Sequence, residues 1–195
     1  RLRASMTPLD LLSDLRRGRV VEYALTVPEG WTLREALHAM HAAERIVRRL
    51  PRDVSDQALL EAMGAAEDYP HPEGLIFPDT YHYIKGTTDI ELLRQAHQRL
   101  QKVLAEEWRA RGQDLPYDQR YQALVMASLV EKETGLASER EAIAGVFVRR
   151  LRRGMRLQTD PSVIYGLGEA YDGNLSRRDL RSRSPYNTYR HGGLP

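Results

Sequence analysis

The chain contains no cysteine. That excludes disulfide staples and cysteine-ligated zinc, and it leaves the compartment open. No apolar run approaches the roughly 18 to 20 residues that a membrane-spanning helix needs, and residues 1–20 lack the basic, apolar and small-residue order of a signal peptide. A glycine-rich phosphate loop, a G-x-S-x-G elbow and a dinucleotide fingerprint are all missing, so nucleotide chemistry is disfavoured and no cofactor is expected. His38 and His41 lie three residues apart on one predicted helix, but no carboxylate stands in a zinc-protease spacing to them. No metal site is expected on that ground. Internal repeats and low-complexity tracts are also lacking.

What remains is an ordinary globular composition. With 195 residues, 42% of them hydrophobic and 29% charged, the chain suits one domain, or one domain with a small appendage, able to bury a core. The net charge of +2 names no partner. The chain opens on "RLRASM" and stops at "HGGLP" with no helix or strand closing it, so it is expected to be part of a longer protein.

Helix starts carry their own punctuation. Thr7-Pro8-Leu9-Asp10 supplies an N-cap and a proline at the first helical position, with Gly18 as the stop. Thr32-Leu-Arg-Glu35, Thr88-Asp-Ile-Glu91 and Ser138-Glu-Arg-Glu141 each match a capping box. Helices are predicted over 32–49, 56–66, 89–111, 118–134, 139–153 and 176–181. "RVVEYALTV" (19–27) suits a strand closed by a turn at Pro28-Glu-Gly30. Loops are predicted over 69–88, 154–175 and 182–195. The expectation is an α+β chain, predominantly helical with a few short strands, with a composition shift near 27/28.

The helix "YQALVMASLVEKETG" (121–135) is apolar nearly all round from Ala123 to Val130 and ends in Glu131 and Glu133. In a helix, residues i and i+2 point to nearly opposite sides, so two carboxylates so spaced are a doubtful pair. Glu133 continues the bulkier apolar column of Val130, Leu129 and Met126. Thr134-Gly135 ends the helix, and the negative end of the helix dipole there favours the protonated carboxyl that a general acid requires. The competing reading is a solvated "EKE" run at a fraying helix end.

"RGMRLQTDPSVIYG" (153–166) gathers Gln158, Thr159 and Asp160 before a proline, with Tyr165 further on. Amide, hydroxyl and carboxylate on a rigid turn suit sugar hydroxyls and N-acetyl groups. An Asp-Pro turn that simply starts a helix is equally compatible. "SRSPYNTYRHGGLP" (182–195) supplies Ser184, Tyr186, Asn187, Thr188 and Tyr189, whose aromatics can stack on sugar faces or merely pin a loop. "PEGLIFPDTY" (72–81) holds Glu73, Asp79 and Tyr81 in a similar setting. The basic run "RRLRRGMR" (149–156) reads as the solvated face and last turn of its helix. It lacks the interleaved aromatics of a single-strand binder, so no nucleic acid is expected.

Together "EGLIFPDTY", "MASLVEKET", "VFVRRLRRGMRLQTDPSVIYG" and "SPYNTYRHGGLP" resemble, in order and approximate spacing, the MltG/YceG-like family of endolytic murein transglycosylases, from about Pro28 to the end of the chain. Arg149 departs from the asparagine usual there. The resemblance implies a division into 1–27, the C-terminal part of a small LysM-like α/β subdomain, and 28–195, a catalytic domain truncated at its C-terminal end. The acid of that domain would sit at a helix end as in lysozyme. Glu133, directly before the threonine, maps onto the family's catalytic glutamate, and Glu131 is left a structural or supporting role. Gln158, Thr159, Asp160, Tyr165, Ser184, Tyr186, Asn187, Thr188 and Tyr189 map onto substrate-binding blocks, with Glu73, Asp79 and Tyr81 on a supporting loop. The implied reaction is cleavage of the β-1,4 MurNAc–GlcNAc bond within nascent peptidoglycan strands to give 1,6-anhydroMurNAc ends, which limits glycan length. The implied setting is a single-pass bacterial inner-membrane protein with its catalytic domain in the periplasm, peptidoglycan synthases as partners, and an anchoring helix absent from this soluble stretch. A non-enzymatic peptidoglycan-binding scaffold is the alternative.

Overall fold

Thr80-Tyr-His-Tyr-Ile84 alternates aromatic with other side chains in a run of good strand formers. In the computed structural model it forms β2 (Thr80–Ile84), antiparallel to β1 (Glu22–Thr26), with Tyr23 opposite Tyr83 and Leu25 opposite Tyr81. Tyr81 and Tyr83 are buried while Thr80, His82 and Ile84 face outward. The Tyr23 and Tyr83 rings stack at 5.6 Å. β2 corrects the loop expected over 69–88. Turn formers flank the strand closely, and its partner lies far earlier in the chain, so pairing and burial rather than local pattern establish it.

The structure describes residues 7–16, 18 and 20–195. Residues 1–6, 17 and 19, which belong to the expected 1–27 segment, lie outside the described residues. The chain forms two compact units, Arg1–Leu100 and Gln101–Pro195. The expected boundary near 27/28 falls inside the first unit, where β1 pairs with β2.

In the first unit, α1 (Pro8–Arg16) starts on its proline, as the sequence predicts. α2 (Leu33–Ala42) carries the predicted capping box: the Thr32 N–H donates to Glu35 Oε2 at 2.7 Å and the Glu35 N–H to Thr32 Oγ1 at 3.3 Å. It stops at Ala42 rather than 49. Arg45 takes a left-handed φ of 68°, and the amides a longer helix would use are bonded elsewhere. Val47 N–H donates to the Thr87 carbonyl at 2.8 Å, and Arg49 and Leu50 N–H donate to the buried Asp89 carboxylate at 3.0 Å. α3 (Asp56–Met63) ends at Gly64, whose φ of 75° provides a left-handed C-cap. α4 (Asp89–Ala110) opens on its predicted box, with Thr88 N–H donating to Glu91 Oε2 at 2.7 Å. Leu33, Leu37, Met40, Leu75, Leu92 and Leu93 are among the buried core residues.

In the second unit, α5 (Arg120–Glu133) packs on α6 (Arg140–Arg152) and α7 (Asp160–Leu167). Met126, Leu129 and Val130 of α5 meet Phe147 of α6 and Leu157 in one core. The α5 helix is one-sided rather than buried all round, since Ala127 and Ser128 are exposed. The capping box expected at Ser138 does not form: α6 emerges from a 3-10 turn over Ala137–Glu139 without a side-chain cap, and the Glu139 carboxylate accepts the Thr134 hydroxyl instead, at 2.7 Å. α7 replaces part of the loop expected over 154–175 and realises the helix-starting reading of Asp160-Pro161. Of the helix expected at 176–181, only a 3-10 turn over Asp179–Arg181 exists. Ser176 and Asp179 close that turn by reciprocal bonds, 2.9 Å from Ser176 N–H and 3.2 Å from Asp179 N–H. Helices with one small antiparallel sheet make this an α+β chain.

Candidate active site

Glu133 is the last residue of α5. Val130, Leu129 and Met126, one and two turns before it, are buried, whereas Glu133 itself is exposed. Its carboxylate therefore stands where the core stripe of the helix reaches solvent. Glu131 turns the other way and forms an ion pair with Arg140 at 3.0 Å. The two glutamates have separate partners, as the i, i+2 geometry of a helix requires.

One oxygen of Glu133 is held. The Thr159 hydroxyl donates to Oε2 at 2.5 Å, and Thr159, only 1% exposed, is braced in turn. Its N–H donates to Thr188 Oγ1 at 3.0 Å. Its carbonyl accepts the Ser162 hydroxyl at 2.8 Å, and the Ser162 and Thr188 hydroxyl oxygens lie 2.8 Å apart. Thr159 is the N-cap residue of α7, so the chain turns into the helix where its hydroxyl meets the glutamate.

Gln158, just before it, is exposed and held at a φ of 55°, a region that non-glycine residues seldom occupy. Arg150 explains how this turn is held. One guanidinium nitrogen donates to the carbonyls of Arg156 and Leu157 at 2.9 and 3.1 Å and to Gln158 Oε1 at 2.8 Å. The Gln158 N–H donates to the Thr188 carbonyl at 3.2 Å. Asp160 Oδ1 accepts the Tyr189 hydroxyl at 2.6 Å. Burial first, then the bond to Asp160 and the negative charges of Asp160 and Glu133, push the Tyr189 hydroxyl up to about 12, against the opposing pull of Arg150. Tyr189 thus keeps its proton at neutral pH and donates it in a hydrogen bond to Asp160, within the electrostatic reach of Glu133.

The late loop divides into two kinds of residue. Asn187 is fully buried, and its amide nitrogen donates to the Leu180 and Ser182 carbonyls at 3.2 and 2.9 Å while its oxygen accepts the Tyr189 N–H at 3.0 Å. Thr188 is 2% exposed. Both therefore engage the protein itself. Tyr165 and Tyr186 form an edge-to-face pair with centroids 4.9 Å apart, and Tyr165 is partly open to solvent. The Ser184 hydroxyl accepts the Tyr186 N–H at 3.3 Å.

Three contributors escape the sequence reading. Arg150 sits in a run that reads as a solvated face, and only the fold turns it onto 156–158. Ser162 is recognisable in retrospect, since it stands three residues after the helix-starting Thr159. Gly166 falls in a stretch that reads as loop, but a Cβ there would collide with Ser184 Oγ and lie 3.3 Å from Tyr186 Cβ. Glycine is what lets the loop approach α7.

Glu73, Asp79 and Tyr81 belong to the first unit and have partners inside it. Glu73 Oε1 accepts the Leu33 N–H at the start of α2 at 2.8 Å. Asp79 accepts the Thr80 N–H at 2.8 Å and faces Arg99 at 3.6 Å. The Tyr81 hydroxyl donates to the Phe77 carbonyl, and burial, with the Asp79 charge, pushes it up to about 12.

The chain matches known proteins along its whole length. The model of the YceG-like family covers residues 1–195. The endolytic murein transglycosylase of Bacillus subtilis (strain 168) is 33% identical over 152 residues, 77% of this chain and 41% of that protein. The endolytic murein transglycosylase of Streptococcus pneumoniae serotype 2 (strain D39 / NCTC 7466) is 30% identical over 99% of this chain and 40% of its own length. The chain thus spans about two-fifths of the length of these curated relatives. A crystal structure of a YceG-like protein from Listeria monocytogenes superposes with a TM-score of 0.66 at 28% identity, over 98% of this chain and 67% of that one. With a family model matched from the first residue to the last, and a solved member sharing the fold, this chain belongs to the YceG-like family.

Proposed function

We propose that the chain is the catalytic part of an endolytic lytic transglycosylase, a lyase that cuts the β-1,4 bond between N-acetylmuramic acid and N-acetylglucosamine inside peptidoglycan strands. One observation carries the reading: the Glu133 carboxylate stands exposed at a helix end with a single oxygen fixed by a buried hydroxyl. A glycoside hydrolase of the usual kind needs a second carboxylate, as base or nucleophile, flanking the bond. A transglycosylase needs one group used twice. Glu133 protonates the leaving glycosidic oxygen as the C1–O bond breaks. As a carboxylate it then removes the proton from the muramic acid C6 hydroxyl, which attacks C1 and closes the 1,6-anhydro ring. No water is consumed, and Glu133 ends in its starting state.

Charge that develops at C1 needs a partner. The Thr159 hydroxyl is committed to Glu133, which leaves the Gln158 amide and the substrate's own N-acetyl group. Asp160, Tyr189, Ser184 and the Tyr165–Tyr186 ledge are assigned to the sugars. Asn187 and Thr188 are assigned to holding the loop that presents them. Glu73, Asp79 and Tyr81 are assigned a supporting role in the first unit.

The wider setting extends this reading. Residues 1–27 are read as the tail of a LysM-like module and 28–195 as catalytic, with the acid held at a helix end in the manner of lysozyme. The whole protein is placed in the inner membrane with this part in the periplasm, trimming nascent strands beside the synthases. Among the described residues no helix is long and apolar enough to cross a membrane.

The test is digestion of purified sacculi followed by borohydride. Anhydro ends do not reduce, so products with non-reducible muramic ends are expected. Abundant reducible muramic ends would overturn transglycosylation, and sacculus binding without new ends would leave a scaffold module instead.

A further inference from the structure

We propose that Thr188 and Ser162 are positioning residues for the acid: together they set the Thr159 hydroxyl so that Glu133 presents one chosen oxygen to the substrate. The proposal rests on the transglycosylase reading of Glu133 and extends it to residues that never touch sugar. All three hydroxyl residues are buried, at 1% for Thr159, 2% for Thr188 and 4% for Ser162. None is available to substrate, yet the group at the end of the chain is exposed.

The connectivity decides what each does. Thr188 Oγ1 accepts the Thr159 N–H at 3.0 Å and gives its one proton to Ser162 Oγ, whose own proton goes to the Thr159 carbonyl, so the two side chains together grip residue 159 on both its polar main-chain atoms. Ser162 Oγ holds the same carbonyl at 2.8 Å and the Thr188 hydroxyl at 2.8 Å. Thr159 is β-branched and stiff at χ1, so fixing its main chain fixes the direction of its hydroxyl. That hydroxyl has one proton, and it goes to Glu133 Oε2 at 2.5 Å.

An oxygen already accepting a strong hydrogen bond is the poorer seat for a carboxyl proton. When Glu133 is protonated the proton therefore sits on Oε1, and when it is ionised Oε1 is the oxygen left to receive one. Both proton transfers of the reaction run through this one atom. A carboxyl free to rotate would divide its time between two oxygens and many directions, losing the alignment from which enzymes gain most of their proximity advantage.

The experiment measures kcat and KM on soluble uncross-linked glycan strands for wild type, Glu133→Gln, Thr188→Val, Thr188→Ser and Ser162→Ala. Thr188→Val is expected to lower kcat about 100-fold, the scale of a misplacement of about 1 Å, with KM little changed. Thr188→Ser, which keeps the hydroxyl, is expected to restore most of the rate. Ser162→Ala is expected to lower kcat by less, again at constant KM. A raised KM with wild-type kcat in Thr188→Val would show that Thr188 is a substrate contact and overturn the proposal, as would a Thr188→Ser variant as slow as Thr188→Val. Should Thr188→Val fail to fold, Ser162→Ala carries the test: wild-type kcat there overturns it. Glu133→Gln separates the two levels. If it cleaves normally, the site reading itself fails, whereas its inactivity beside an unimpaired Thr188→Val sinks only the positioning role.

Discussion

The Thr159 hydroxyl donates to Oε2 of Glu133 across 2.5 Å, joining the N-cap of α7 to the last residue of α5. Two helix ends, 26 residues apart in sequence, thereby define one chemical group. Glu131, two residues earlier, is held by Arg140 and contributes to the α5–α6 connection instead.

The first prediction follows from that division. Glu133→Gln removes the transferable proton and is expected to lower cleavage by about 100- to 10,000-fold, the usual worth of a general acid. Glu131→Gln loses only a partly exposed ion pair with Arg140. It is expected to keep most of the activity and to shift unfolding by no more than about 1 kcal/mol. Anhydro-muropeptide yield and denaturant unfolding of both variants check it; the opposite order of activities would assign the acid to Glu131.

Gly166→Ala places a methyl group against Ser184 and Tyr186. Overpacking of this kind costs about 1 to 3 kcal/mol, and Ser184 must shift to accept it. The variant is expected to melt at lower temperature and to bind glycan more weakly, because the Tyr165–Tyr186 pair moves with the loop. Calorimetry and a sacculus pull-down read the two effects, and an unchanged melting temperature would mean the loop yields freely.

Gln158→Gly separates stability from function. A non-glycine residue in the left-handed region stores about 1 kcal/mol or more of strain, and glycine at a φ of 55° relieves it. The same change deletes the amide that Arg150 holds. A higher melting temperature with slower cleavage is expected. Faster or equal cleavage would show that the Gln158 side chain has no part in the reaction.

Alkaline pH should weaken the fold through two tyrosines. Tyr81 and Tyr189 are each pushed up to about 12, above the value of about 10 for an unfolded tyrosine. The unfolded state ionises first, so it binds fewer protons and stability falls with rising pH. Their contribution is fully present below about pH 10 and is lost between about 10 and 12. Denaturant titrations across that window are expected to show the decline, and Tyr81→Phe with Tyr189→Phe to flatten it. An equally steep decline in the double variant would place the cause elsewhere.

Local rules were legible at several helix starts. The boxes at Thr32 and Thr88 form as written, and α1 begins on Pro8. Where an amide finds a distant partner, local reading fails. Asp89 takes the main chain at Arg49 and Leu50 out of the helix that pattern alone would continue. β2 is strand only because β1 lies beside it.

The candidate site divides in the same way. Helical periodicity by itself separated Glu131 from Glu133 and aligned Glu133 with the apolar column of α5, because side-chain direction along a helix is fixed by its 3.6-residue turn. The oxygen of Glu133 that is held, the inward turn of Arg150, the burial of Thr188 and Asn187, and the need for glycine at 166 depend on which segments meet across tens of residues. No local propensity encodes those meetings. Core packing brings α5, α6 and α7 together, and only then does a threonine at one helix start stand within hydrogen-bonding reach of a glutamate at another helix end.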